Sequence, residues 1–468
     1  MAITNVQAIE AMLKTFYVDK VASLLYRNSP VVKEIEAVRV EGKEQRYPAI
    51  NSWGGAVAGD ALVAEEQAAE NVGNSEWIVQ PGQLFSIFTY NAKEVQASLT
   101  KRGAYMKLAG NKAFAATEAF RKTLAAAFYG RGYGEIAVLG TAATFTDNTA
   151  TTITLSDEAI IKITRGSRLV LKTSVSDATE QVVLKVTAIN GNTISVMPSK
   201  ATGGAYSANA TDIVAIAGSM DSNGHPLLPV GLGGWLPIVA GRTGASWTSY
   251  IGNQFMGQTR SADVDGLCGA FVNHAGTSKK ISETVQEALR LARRRGSEAD
   301  MIVMNDKDFL KLGAEINSTN MYFTSTSTKA KRDASIGFNK FSAAFSTNFI
   351  DLIYDDPYLD EGVFYILDKS QIQNFTYTNV DVINDGIPSN NPGKENPTEF
   401  DNKGKEDSPY KLLIDDFITV EPASLTSNGS AVRVILNYVG TYAILNPSVF
   451  AVGLLAHADT SKLVEYSL

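Results

Sequence analysis

Apolar positions along this chain fall into blocks with different periods. In residues 92–129, Met106, Ala109, Ala113, Ala116, Phe120, Leu124 and Ala127 recur at steps of three and four, which places them on one helical face. Gly103 and Gly110 weaken the first half of that helix by about 1 kcal/mol each relative to alanine. Gly130, Gly132 and Gly134 stop it. A second helical face, Ile281, Val285, Ala288, Leu289 and Ala292, ends at Gly296. The run 299–305 (ADMIVMN) predicts a buried strand, and 305–316 a helix with Asn305 as its N-cap. Helix, strand and helix in short order imply an α/β layer, to which 351–356 and 362–368 add strands. The chain closes with a long β-rich run, 431–455, turning at Asn446–Pro447.

The period changes to two between 136 and 217. Short alternating runs (151–155, 167–175, 181–189, 192–197, 212–217) are separated by turn signals, and the block holds fourteen threonines but only Phe145 and Tyr206 as aromatics. This pattern predicts a self-contained all-β barrel or sandwich. Within it, Asn190–Gly191 marks a hairpin, because that pair tolerates the positive φ of a tight turn.

Residues 40–88 have strand composition with glycine punctuation. They carry Trp53, Trp77, Ile78, Val79, Phe85, Ile87 and Phe88 with little of their own chain to bury against. A hairpin that cannot cover its apolar face is marginal alone, so this excursion predicts a partner, and a neighbouring copy is the natural one. Asp60, Glu65, Glu66, Glu70 and Glu76 lie in it without a base between Ala58 and Glu76. They form either a solvated loop face or a surface complementary to a neighbour's basic residues. Residues 1–38 predict a helical arm with Ile9, Met12, Leu13, Phe16 and Tyr17 on one face and a stop near Asn28–Pro30. Residues 218–276 read as irregular and glycine-rich, and 384–409 as a long polar loop with four prolines, of the kind that is functional or disordered.

Hydrophobic content of 44% and charged content of 19% fit a globular chain of 468 residues whose surface is partly covered by something else. A net charge of −7 excludes a chain built as a whole to grip nucleic acid. Charge is uneven, however: Lys101, Arg102, Lys107, Lys112, Arg121 and Lys122 form a basic side to the long helix and are the candidates for weak, salt-sensitive contact with nucleic acid. The single cysteine, Cys268, excludes an intrachain disulfide and a four-cysteine zinc site. Glu10 and Asp19 in a segment without an apolar core predict no signal peptide, hence synthesis in the cytoplasm, and no run of about 18 apolar residues predicts a membrane span.

Candidate chemistry is sparse. His225, His274 and His457 are far apart and lack metal-ligand spacing. The segments 221–225 and 263–266 contain turn-forming Asp and Asn without the downstream Glu of a calcium loop. No phosphate-binding GxxxxGK[ST] and no GxSxG elbow is present, and the glycines of 130–135 follow a helix rather than a strand. Cys268 reads as a buried structural residue. Arg293, Arg294 and Arg295 suit the negative end of a helix, or a contact with nucleic acid or a subunit. No enzyme activity, cofactor or metal is expected.

The order of parts resembles the major capsid protein of tailed bacteriophages, the Hong-Kong-ninety-seven-type capsid fold. The residues carrying the likeness are the excursion 40–88, the helix 92–129, and the runs 297–313, 362–372 and 433–455. The resemblance implies an α+β fold divided into an N-terminal arm (1–39), an extended E-loop (40–90), a peripheral domain with a spine helix (91–135), an inserted β domain (136–217), an axial domain with its connections (218–380), and a polar loop returning to the sheet (381–468). It also implies self-assembly into hexamers and pentamers of an icosahedral virion shell around double-stranded DNA, made in a host bacterial cytoplasm. Portal, scaffolding, decoration or head-fibre proteins would be partners, and no membrane would be. In that frame Trp53, Trp77 and Phe85 are candidate E-loop anchors and Glu65, Glu66 and Glu70 candidate contacts to a basic neighbour. Some members crosslink an E-loop lysine to an asparagine of another subunit. Here Lys43 is the only lysine between Val40 and Phe88 and sits near the loop's base. No isopeptide crosslink is therefore expected, and a covalent ladder on a denaturing gel would refute this. Three other readings stay open: an extracellular surface lattice, a carbohydrate-binding β-rich protein, and an encapsulin-like shell.

Overall fold

The computed structural model describes residues 29, 31–39, 44–52, 59–63, 73–91, 108–201, 204–319, 343–345, 348–350, 352–376, 419–425 and 431–467. The expectations for residues 1–28, for 92–107 and for the loop 384–409 lie outside them. The chain divides into a smaller unit (1–28, 83–124 and 376–440) and a larger one (29–82, 125–375 and 441–468).

The larger unit is built on a five-stranded sheet in the order Ala270–Asn273, Ala451–Leu454, Val363–Leu367, Met301–Met304, Leu352–Asp355. The outer pairs are parallel and the inner pairs antiparallel. Its three central strands are buried along their whole length, as expected of a sheet covered on both faces. Ile302, Met304, Phe364 and Ile366 share one face and pack on Ile281, Val285, Ala288, Leu289 and Ala292 of the helix Ile281–Arg294 and on Leu312 of the helix Asp306–Thr319. Asn305 caps the second helix, its side chain accepting from the Lys307 amide at 2.9 Å.

The helix Leu108–Tyr129 crosses from the smaller unit into the larger at residue 125. Its alanines and unbranched side chains are strong helix formers. It ends in the buried pair Phe128 and Tyr129, and Tyr129 stacks on Tyr365 of the sheet with ring centres 6.4 Å apart. Gly231 passes directly beneath: a Cβ there would meet the Phe128 carbonyl oxygen at 2.0 Å, so only glycine fits.

Residues 135–216 form a six-stranded antiparallel sheet in the order Glu135–Val138, Ile213–Ile216, Arg168–Lys172, Val182–Asn190, Thr193–Ala201, Thr151–Thr154, with a separate pair, Ala143–Thr146 and Ala205–Ala208. One apolar core, including Phe145, Leu171, Leu184, Ile194 and Val214, lies within it. Gly191 turns the expected hairpin with φ of +57°. The block also holds a helix, Asp157–Lys162, which an all-β reading missed although Ser156 caps it and Asp157 and Glu158 open it.

Three further readings change. Residues 31–38 contain a single 3₁₀ turn, Val32–Glu34, and a strand, Glu36–Arg39, that pairs with Ile372–Thr376 rather than continuing a helix. Residues 218–276 are not simply irregular: they contain the helices Gly244–Gly252 and Val264–Cys268 and an edge strand of the central sheet. The excursion 40–88 is two structures. Gln45–Ser52 and Gly73–Val79 form an antiparallel hairpin, while Gly82–Asn91 pairs with Ala431–Ile444. In the smaller unit Thr419–Leu425 also pairs with that long strand, Val420 facing Leu436.

Candidate assembly surface

The hairpin has two unlike faces. Tyr47 and Trp77 are direct cross-strand partners and both turn inward. Trp77, 1% exposed, meets Trp235 edge-on at 4.9 Å between ring centres. Trp235 in turn contacts Phe255 at 5.2 Å and donates from Nε1 to the Tyr442 carbonyl at 2.7 Å. Phe128 closes the cluster against Tyr442, at 4.8 Å. The Tyr47 hydroxyl donates to the Ile444 carbonyl at 2.8 Å. Backbone bonds hold the second strand as well, because the Ile78 amide donates to the Met256 carbonyl at 2.8 Å and the Gln258 side chain to the Glu76 carbonyl. The hairpin is therefore clamped through both of its strands, by Tyr47 on one and by Trp77, Ile78 and Glu76 on the other.

The outer face is charged. Arg46 bonds Glu44 through Nε at 2.7 Å and Glu76 through Nη1 at 3.1 Å. The flanking carboxylates raise the Arg46 guanidinium further, chiefly through its hydrogen bond to Glu44. Fully solvated pairs of this kind add little to the fold.

Exposed apolar side chains mark the remaining surface. Phe85 (51%) and Ile87 (54%) lie two residues apart on the strand Gly82–Asn91 and so share one face, while Leu84 between them and the preceding turn is buried. Leu62 (72%) and Val63 (42%) lie in the helical turn 61–63, whose start is tied by the Leu62 amide to Asp60 at 3.0 Å. Single exposed apolar residues are ordinary, but a pair on one strand face is the start of a contact patch.

The structure sorts the sequence candidates unevenly. Trp53, Glu65, Glu66, Glu70, Lys101, Arg102 and Lys107 lie outside the described residues. Phe85 is half exposed. Trp77 is instead enclosed by its own chain, since the period-two pattern shared with Tyr47 turns it inward. Lys112 and Arg121 are on the helix Leu108–Tyr129, with Arg121 half-buried, whereas Lys122 is buried and presents no open basic surface.

No chemistry gathers at the remaining candidates. Asp221 accepts from the amides of Asn223 and His225 at 2.9 and 2.8 Å and so forms a turn. Asp263 caps the helix Val264–Cys268. Cys268 is buried, and burial pushes its thiol up, away from the nucleophilic thiolate. Sequence spacing missed one grouping. Asp308, Glu361 and His457, from three distant segments, bring their ligating atoms within 4.8 Å of one another. The Lys311 ammonium lies 3.5 Å from Asp308 and bonds Glu361, which supplies the positive charge these carboxylates need without a metal. Among the described residues no helix is long and apolar enough to cross a membrane.

No family model matches the chain, and no curated protein matches its sequence. Its fold does match solved structures. A chain of the cyanophage A-1(L) capsid asymmetric unit superposes with a TM-score of 0.54 at 11% identity, covering 96% of this chain and 98% of that one. Microbacterium phage Oxtober96 gives 0.42 at 9% identity, over 96% and 98% of the two chains. The SrpI encapsulin complex of Synechococcus elongatus gives 0.39 at 9% identity, over 98% of both. The chain thus has the phage capsid protein fold, shared along nearly its whole length with the cyanophage subunit.

Proposed function

We propose that this chain is the major capsid protein of a tailed bacteriophage, forming hexamers and pentamers of an icosahedral shell around double-stranded DNA. The observation carrying the reading is the near-full-length fold match to the cyanophage capsid chain. In this reading the hairpin Gln45–Ser52/Gly73–Val79 is the stem of an E-loop laid over a neighbouring subunit, and the block 136–217 is a domain inserted after the spine. Many modest contacts, repeated by symmetry, sum to a stable closed shell. Phe85, with Ile87 beside it, supplies apolar contact, and Glu65, Glu66 and Glu70 supply charge toward a basic neighbour. DNA contact is weak and non-specific, and falls to the basic residues other than Lys122. The protein acts by geometry rather than catalysis, with portal and scaffolding proteins as partners in the virion.

Negative-stain electron microscopy of the purified chain, alone and with a co-expressed scaffold, tests this. Shells, tubes, or rings of five or six are expected, and DNA rather than protein cargo separates a phage shell from an encapsulin-like one. Phe85→Asp is expected to reduce assembled particles about tenfold or more while leaving the monomer's unfolding midpoint unchanged, because the ring is half in solvent. Monomers under every condition would overturn the reading.

A further inference from the structure

The β block meets the central sheet region through charges arranged in opposite senses. At the start of the helix Asp157–Lys162, Asp157 and Glu158 each lie 2.8 Å from the Lys307 ammonium. At its end, the Lys162 ammonium lies 3.0 Å from Asp360. Lys307 belongs to the helix Asp306–Thr319, and Asp360 to the turn before the strand Val363–Leu367. Glu361 joins the Lys307 group at 3.6 Å. Sliding the block along this contact would bring Lys162 toward Lys307 and the acids toward Asp360, so charge reversal fixes the register.

The rest of the junction is loose. A cavity of about 670 Å³ lies there, lined from the block by Thr154 and Asn192 and from the sheet region by Asp360, His457 and Asp459. Part of the attachment is apolar: Val138, Val175 and Ile213 pack on Val464, with Tyr133 beside them. The chain enters and leaves the block on adjacent strands, Val138 facing Ile213, so both covalent connections sit at one place. Gly134 and Gly218, just outside those strands, have φ of +68° and +75°.

The geometry points to a hinged block with an ionic latch: the block turns about its paired entry and exit strands and the Val464 contact, and Lys307 and Lys162 lock it. The block's own core is made of apolar side chains, Ala159 and Ile160 of the helix Asp157–Lys162 among them, and includes none of the latch charges. Opening the latch wets a cavity whose lining mixes charged groups with apolar ones such as Leu139, Leu155 and Leu463. The six-residue helix is too short to persist alone: Ala159 and Ile160 hold its inner face to the core and the latch ties both its ends, so its protection falls when the latch is lost.

Hydrogen–deuterium exchange of the intact chain tests this. In Lys307→Ala combined with Lys162→Ala, the amides of 159–163 are expected to exchange about tenfold faster or more, while strands 182–201 keep their protection. Unchanged exchange at 159–163 overturns the latch. Loss of protection in 182–201 overturns the hinge, because the clamp would then be part of the block's folding. Wild-type protein at about 1 M salt provides a check free of substitutions. The same amides are expected to speed up relative to low salt, and salt-independent exchange overturns the ionic lock.

Discussion

Trp77→Ala is expected to lower the free energy of unfolding by about 3–5 kcal/mol and to abolish assembled particles. The indole is among the largest fully buried side chains, and it fills the space between the hairpin and Trp235. Its loss leaves a cavity bounded by Tyr47 and Trp235, two rigid rings that cannot close over it. The Ile78 and Gln258 hydrogen bonds that fasten the same strand would then act alone. Denaturant unfolding measures the first effect and electron microscopy the second. Trp77→Phe keeps an aromatic edge toward Trp235 and should lose less than half as much. A loss below about 1 kcal/mol for the alanine variant would show that the hairpin is not anchored through this ring.

Asp356→Ala is expected to cost about 3–5 kcal/mol, from a residue that no contact surface includes. The Asp356 carboxylate is fully buried and accepts from the Ser29 hydroxyl, from the Tyr129 hydroxyl at 2.7 Å and from the Tyr358 amide at 3.0 Å. Alanine removes the common acceptor of three buried donors. Asn keeps one oxygen and should cost less than half as much. Burial pushes the Asp356 carboxyl up, against the three hydrogen bonds that favour its charged form. The folded protein therefore binds this proton more tightly than the unfolded chain does. The resulting stabilisation is full below the unfolded carboxyl's value and is lost as pH rises through the raised one. Denaturant midpoints should accordingly show wild type gaining on Asp356→Asn as pH falls through that window. A gap between the two that is constant with pH would refute a raised carboxyl.

What could be read in advance was what local pattern encodes. The helix Ile281–Arg294 buries the five residues its spacing selects, and the strands Met301–Met304 and Val363–Leu367 are fully buried apolar runs. The hairpin at Gly191 followed from two residues. Elements that exist through a distant partner were misread. Glu36–Arg39 is a strand because Ile372–Thr376 lies beside it, and Ala270–Asn273 because Ala451–Leu454 does. Trp77 looked like an outward anchor because Trp235, the ring it meets edge-on, and Phe255 beyond that lie far along the chain. The clamp at Lys307 was hidden for the same reason. Each of its charges is unremarkable alone, and only folding brings Asp157 and Glu158 to it.

The place of Ala451–Leu454 in the central sheet sets the timetable of synthesis. That strand lies between Ala270–Asn273 and Val363–Leu367, so the earliest strand of the sheet waits unpaired until a partner far downstream in the chain has been made. Contacts of such long sequence separation form slowly. Until then the chain shows an open sheet edge, a state prone to aggregation. A chain cut short before Ala451 thus leaves Ala270–Asn273 without the strand it pairs with.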